Sequence, residues 1–101
     1  MTPPELFLAS FGTCVGYYVV QFCNTRHMDT SDMRIEVDGE IFPDPGRIGR
    51  ITVRIGWPFE LDEEQTNALL RAATHCTIHN TLTHPPEVRF NVVQQTLAKG
   101  T

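Results

Sequence analysis

Three thiols are the groups in this sequence with chemistry to offer: Cys14, Cys23 and Cys76. An odd number of cysteines with no close pair argues against a secreted disulfide scaffold. It favours free thiols in a reducing compartment, so a cytoplasmic protein is expected. Cys14 lies between Gly12 and Gly16, inside what reads as a helix. Each glycine there costs about 1 kcal/mol of helix propensity. Glycines four apart remove a ridge of side chains, so another backbone or helix is expected to approach the thiol closely. Cys76 stands where two helical segments meet, with His75 and His79 on either side. Backbone N–H groups of the following turn would stabilise a thiolate there and lower its pKa, and a protonated imidazole would add to the effect. The ordinary reading of a free cysteine is a buried core residue. Cys23, nine residues after Cys14 and across the helix from it, receives that reading. His75, Cys76, His79 and His84 include two histidines four apart, but no paired cysteine motif accompanies them, and no metal site is expected.

The chain around these thiols is short, at 101 residues, and is expected to form one domain over residues 1–101. A formal net charge of -4 without a run of Lys or Arg offers nothing to a phosphate backbone, so nucleic acid is not an expected partner. The uncharged stretch from Leu6 to Cys23 approaches the length of a membrane span. It is diluted by Gly12, Thr13, Gly16, Tyr17, Tyr18 and Gln21, and Glu5 stands where a signal peptide would be positive. A buried helix is expected, with no membrane association.

Thr2-Pro3-Pro4-Glu5 has the form of a capping box, which starts that helix at once. It runs to about Thr25 or His27 and is apolar nearly all round. A single small sheet cannot cover such a helix, so the same helix of a second protomer is expected against it. Met33, Ile35, Val37 and Ile41 alternate with charged residues, as do Ile51, Val53, Ile55 and Trp57. Pro43-Asp44-Pro45-Gly46 lies between the two runs and predicts an antiparallel hairpin. On its outer face Arg50, Thr52 and Arg54 lie within reach of acidic residues on the first strand, as solvated pairs of little energy. Asp62 caps a second helix with Gln65 at the capping-box position, and Leu69, Ala72, Ala73 and Cys76 share one face of it. A short helix from Thr77 to Thr83 precedes Pro85-Pro86, and Val88, Phe90 and Val92 predict a last strand before a frayed tail after Gln95. Tyr17, Tyr18 and Trp57 read as packing residues. The order predicts a two-layer α+β domain: a long helix carrying Cys14, an antiparallel sheet of about three strands, and a second helix leading to Cys76.

The segments around the two outer cysteines resemble a known family. Pro4-Glu5-Leu6-Phe7-Leu8-Ala9-Ser10-Phe11-Gly12-Thr13-Cys14 is similar to the stretch leading to the first cysteine of OsmC/Ohr proteins. Cys76-Thr77-Ile78-His79-Asn80-Thr81-Leu82 is similar to the stretch of the second. The resemblance runs from Thr2 to about Val93. It implies the OsmC-like fold, an intertwined homodimer, and thiol-dependent reduction of organic hydroperoxides. Cys14 would be the attacking thiolate and Cys76 the resolving thiol, with a dithiol, typically lipoyl-linked, as reductant. No metal, haem or flavin is implied.

Some family positions differ. The family's peroxidases carry an Arg in amino-terminal strands that are not expected in this sequence, unless it is a shortened form of a protein that has them. They also carry a Glu ten positions before the first cysteine, where Pro4 stands here and Glu5 follows. Glu5 is more simply a capping residue, since nine helical residues place it about 13 Å from Cys14 on the opposite face. Thr77 replaces the Pro that often follows the second cysteine. The alternative to a peroxidase is therefore a non-enzymatic, redox-responsive or small-ligand-binding dimer of the same fold.

Overall fold

A computed structural model describes residues 1–96. Thr2 starts helix α1, Pro3–Thr25, by the expected capping box: its hydroxyl accepts from the Glu5 backbone N–H while the Glu5 carboxylate accepts from the Thr2 N–H. Strands β1, Arg34–Phe42, and β2, Arg47–Gly56, pair antiparallel across the turn at Pro43–Gly46, with Ile35 opposite Ile55 and Val37 opposite Val53. A register shift at Glu40/Ile41 ends the regular ladder near the turn. Asp62 caps helix α2, Glu63–Thr74, by a second capping box with Gln65. Helix α3, Thr77–Thr83, begins after Cys76.

The core is built on one stripe of α1. Phe11, Val15, Val19 and Cys23 recur every fourth residue and are buried, and Leu69, Ala73 and Cys76 close over them. The hairpin supplies the other layer through Ile35, Val37, Ile51, Val53 and Ile55. Leu69 and Leu70 approach the end of β2 near Trp57 across a small cavity of about 140 Å³. On the solvent side Arg50 pairs with Glu40 and Arg54 with Asp38. These exposed ion pairs contribute at most about 1 kcal/mol each.

As expected of a helix that one small sheet cannot cover, α1 is buried within the chain along a single stripe; Leu6 and Tyr17 on its other faces, and Phe7 one turn before Phe11, are exposed. By length and composition alone α1 would span a bilayer, yet its stripe is committed to the sheet and α2. Two other expectations change. The close approach at the glycines is made by β1 of the same chain and needs no second protomer: a Cβ at Gly12 would stand 3.1 Å from Val37 Cγ2, and one at Gly16 3.5 Å from Ile35 Cδ1. The last strand does not form. Residues 85–96 have no regular structure, and Phe90 and Val92 are 93% and 103% exposed. Alternation makes a segment fit for a ladder, but within one chain no sheet edge meets it. Most of the tail expected to fray, residues 97–101, lies outside the described residues.

The glycine spacing yields a stability test. Gly16→Ala meets only ordinary van der Waals contact and removes the helix penalty, so it is expected to stabilise the fold by up to about 1 kcal/mol, raising Tm by about 4–8 °C. Gly12→Ala presses on the branched, stiff Val37 and is expected to gain less or to destabilise. Paired thermal melts read the difference; equal gains at the two sites would remove β1 as the reason for Gly12.

Candidate functional site

Cys14 lies midway along α1, on the flank of the buried stripe, and is half-buried; Cys76 is wholly buried at the N-cap of α3. The α2–α3 junction brings them together. Cys76, two residues after the end of α2, is buried with Leu69 and Ala73 against α1, and the backbone of Thr77 and Ile78 at the start of α3 lies beside Cys14. Both thiols are free, and each lies close enough to influence the ionisation of the other.

The pair is electrostatically unequal. Burial pushes the Cys14 thiol up, but the bond from Cys76 and the backbone N–H groups of Ile78 and Thr77 outweigh it and hold Cys14 below the ordinary thiol range. Burial raises Cys76, and the bond it donates to Cys14 raises it further; the backbone N–H groups of His79 and Ile78 offset this only in part. The expectation that Cys76 would be the lowered thiol is therefore corrected. The amides after Cys76 do favour a thiolate, but the partly exposed Cys14 benefits, because Cys76 itself is cut off from water. Cys23 is raised by burial, with the Arg26 charge a smaller opposing influence, as suits a core residue.

The histidines do not gather around sulfur. His75 caps the C-terminus of α2 and meets Tyr18 edge-on at 5.7 Å between ring centroids. His79 stacks on Phe11 and its Nδ1 lies 3.1 Å from the Thr74 carbonyl oxygen. A carbonyl only accepts, so Nδ1 carries the proton and pins the junction. His84 forms the C-cap of α3 beside Thr83. No three His, Cys, Asp or Glu side chains converge among the described residues.

Glu5 is occupied by the Thr2 cap, whose hydrogen bonds hold its carboxyl below the usual range; it plays no part at Cys14. Thr77, in the place of a proline, keeps the backbone N–H that bonds Cys14. Its hydroxyl also lies 3.4 Å from the Tyr18 hydroxyl. Tyr18 thus belongs to the surround of the site, a role that reading it as packing overlooked. Its position four residues after Cys14, on the same helix face, was the available signal.

A lowered thiol stays ionised to lower pH, so alkylation tests the asymmetry. With iodoacetamide followed by mass spectrometry, Cys14 is expected to react with a pH midpoint below that of free cysteine, and Cys76 with one above it. Cys76→Ala removes the bonded thiol and is expected to move the Cys14 midpoint upward. An unchanged midpoint would leave the Cys76 bond without effect.

The sequence and the fold have counterparts. A family model described as OsmC-like protein matches residues 1–91. The crystal structure of a putative osmotic stress induced and detoxification response protein from Psychrobacter arcticus 273-4 superposes with a TM-score of 0.73 at 20% identity, over 79% of this chain. The aligned part is 58% of that protein, so this chain spans less than two thirds of its length. No curated protein matches the sequence. The family match over nine-tenths of the chain and the shared α+β fold, a soluble protein type, lead to one conclusion: this chain belongs to the OsmC-like family.

Proposed function

We propose that this protein is a thiol-dependent peroxidase that reduces organic hydroperoxides as part of a detoxification response. The observation that carries the reading is the pairing of a lowered, accessible Cys14 with a raised, buried Cys76. The Cys14 thiolate attacks the distal oxygen of ROOH, the O–O bond breaks, and the departing alkoxide takes a proton from solvent to leave ROH. Cys14 is then a sulfenic acid. Cys76 keeps its proton until this point. Its sulfur attacks the Cys14 sulfur, hydroxide leaves with that proton as water, and a disulfide results. An external dithiol reduces it by exchange, returning both thiols and becoming a disulfide itself.

Mixing reduced protein with excess tert-butyl hydroperoxide and a dithiol is expected to consume peroxide over many turnovers. Cys14→Ser is expected to abolish the activity, and Cys76→Ser to allow one oxidation to sulfenic acid with turnover lost. Peroxide loss that stops at one equivalent per protein would sink the peroxidase reading. It would leave a redox-responsive dimer of the same fold. That second reading is favoured by one feature: among the described residues, only Cys76 and two backbone amides lower Cys14, with no arginine or carboxylate taking part.

We further propose that the protein acts in the cytoplasm as a homodimer. Free thiols suit a reducing compartment. The exposed Leu6, Phe7 and Tyr17 of α1 and the exposed Val88, Phe90 and Val92 of the tail form apolar surface that a second copy would cover. Sedimentation analysis is expected to give the dimer mass, and Tyr17→Glu to weaken it at least about tenfold. A monomer at all micromolar concentrations would overturn the dimer.

A further inference from the structure

Between α1 and α2, beyond Tyr18 from the thiols, runs an open groove of about 400 Å³. Its form follows from size mismatch: Tyr18 and Phe22 on α1 face Ala68 and Ala72 on α2, and the small residues leave a channel beside the rings. Arg26 and Arg71 both border it, and both also border an adjoining hollow of about 320 Å³. Arg50, Arg54 and Arg89 each have a carboxylate partner. Although the chain as a whole carries an excess of acid, Arg26, Arg34, Arg47 and Arg71 have no such ion pair among the described residues; Arg47 is held by the Pro43 and Pro45 carbonyls, and of the four only Arg26 and Arg71 border the groove.

Each of these arginines stands at a helix C-terminal end, where a cation is favoured by the helix dipole. That accounts for their charge but not for the posture of Arg26. Its guanidinium lies 4.0 Å above the Phe22 ring, with one weak bond to Thr25 Oγ1 at 3.4 Å. A guanidinium over an aromatic ring is shielded on one side, and its remaining N–H donors are available to grip a carboxylate with two bonds. Glu64 borders the adjoining hollow but makes no ion pair with either arginine.

We propose that this groove is a binding site for a small amphiphilic anion, an aromatic carboxylate whose carboxylate is held by Arg26 and Arg71 and whose planar body lies along Phe22 and Tyr18. The site stands apart from the redox reaction and does not depend on it. Its inner end touches the thiol surround, because Tyr18 contacts His75 and the Thr77 hydroxyl.

An NMR titration of the full chain with 2-naphthoate, set against its neutral analogue 2-naphthalenemethanol, tests the proposal. The naphthoate is expected to bind saturably, shifting amides of residues 18–26 and 68–75, at least about tenfold more tightly than the alcohol. Arg26→Gln and Arg71→Gln, both exposed, are expected to weaken naphthoate about three- to tenfold each and leave the alcohol unchanged. Ala72→Leu fills the channel without altering charge and is expected to weaken both ligands. Equal affinity for acid and alcohol, shifts centred elsewhere, no binding at millimolar naphthoate, or full binding by the double Gln variant would each overturn it.

Discussion

Everything in this structure depends on the packing of one stripe of α1. Phe11, Val15, Val19 and Cys23 lie four residues apart, and both the hairpin and the α2–α3 pair reach the core only by touching that line. Fully burying such side chains contributes about 1.5–3 kcal/mol each, whereas the exposed ion pairs of the hairpin add little. The thiol site is placed by the same packing. Cys14 stands one position before Val15, and Cys76, at the N-cap of α3, is buried in the same core as Leu69 and Ala73 of α2. Loss of helix packing would separate the two sulfurs as surely as removing either.

The chemistry at the pair comes from a division of exposure. Two thiols in contact cannot both be readily ionised, so the environment decides which one holds the charge. Cys76 is sealed under α1 and α2 and is pushed up by burial, while its neighbourhood helps to lower Cys14. The amides of Thr77 and Ile78 point to the same sulfur. The result is one readily ionised thiol on the open side of the pair and one less readily ionised thiol behind it.

Local pattern accounts for the elements and for their ends. Thr2 with Glu5 and Asp62 with Gln65 are self-contained signals, because a capping box needs only residues three apart. The alternation Ile35, Val37 and Ile51, Val53, Ile55 around a turn of fixed geometry defined a hairpin for the same reason. The two cysteine segments, in the right order, carried the family. All of these are determined within a few residues or by sequence similarity, and the sequence by itself determined them.

Only the tertiary structure decided the rest. Gly12 and Gly16 announce a close neighbour but do not say which, and the neighbour is β1 of the same chain. Val88, Phe90 and Val92 have the period of a strand, yet a strand exists only where an edge receives its hydrogen bonds, and among the described residues no edge does. Which of two cysteines ionises more readily depends on water access and on amide directions, and neither is written in spacing. The helix around Cys14 was correctly read as apolar, and its sequence set that composition. How much of its surface a single chain covers was settled by the size of the elements that fold against it.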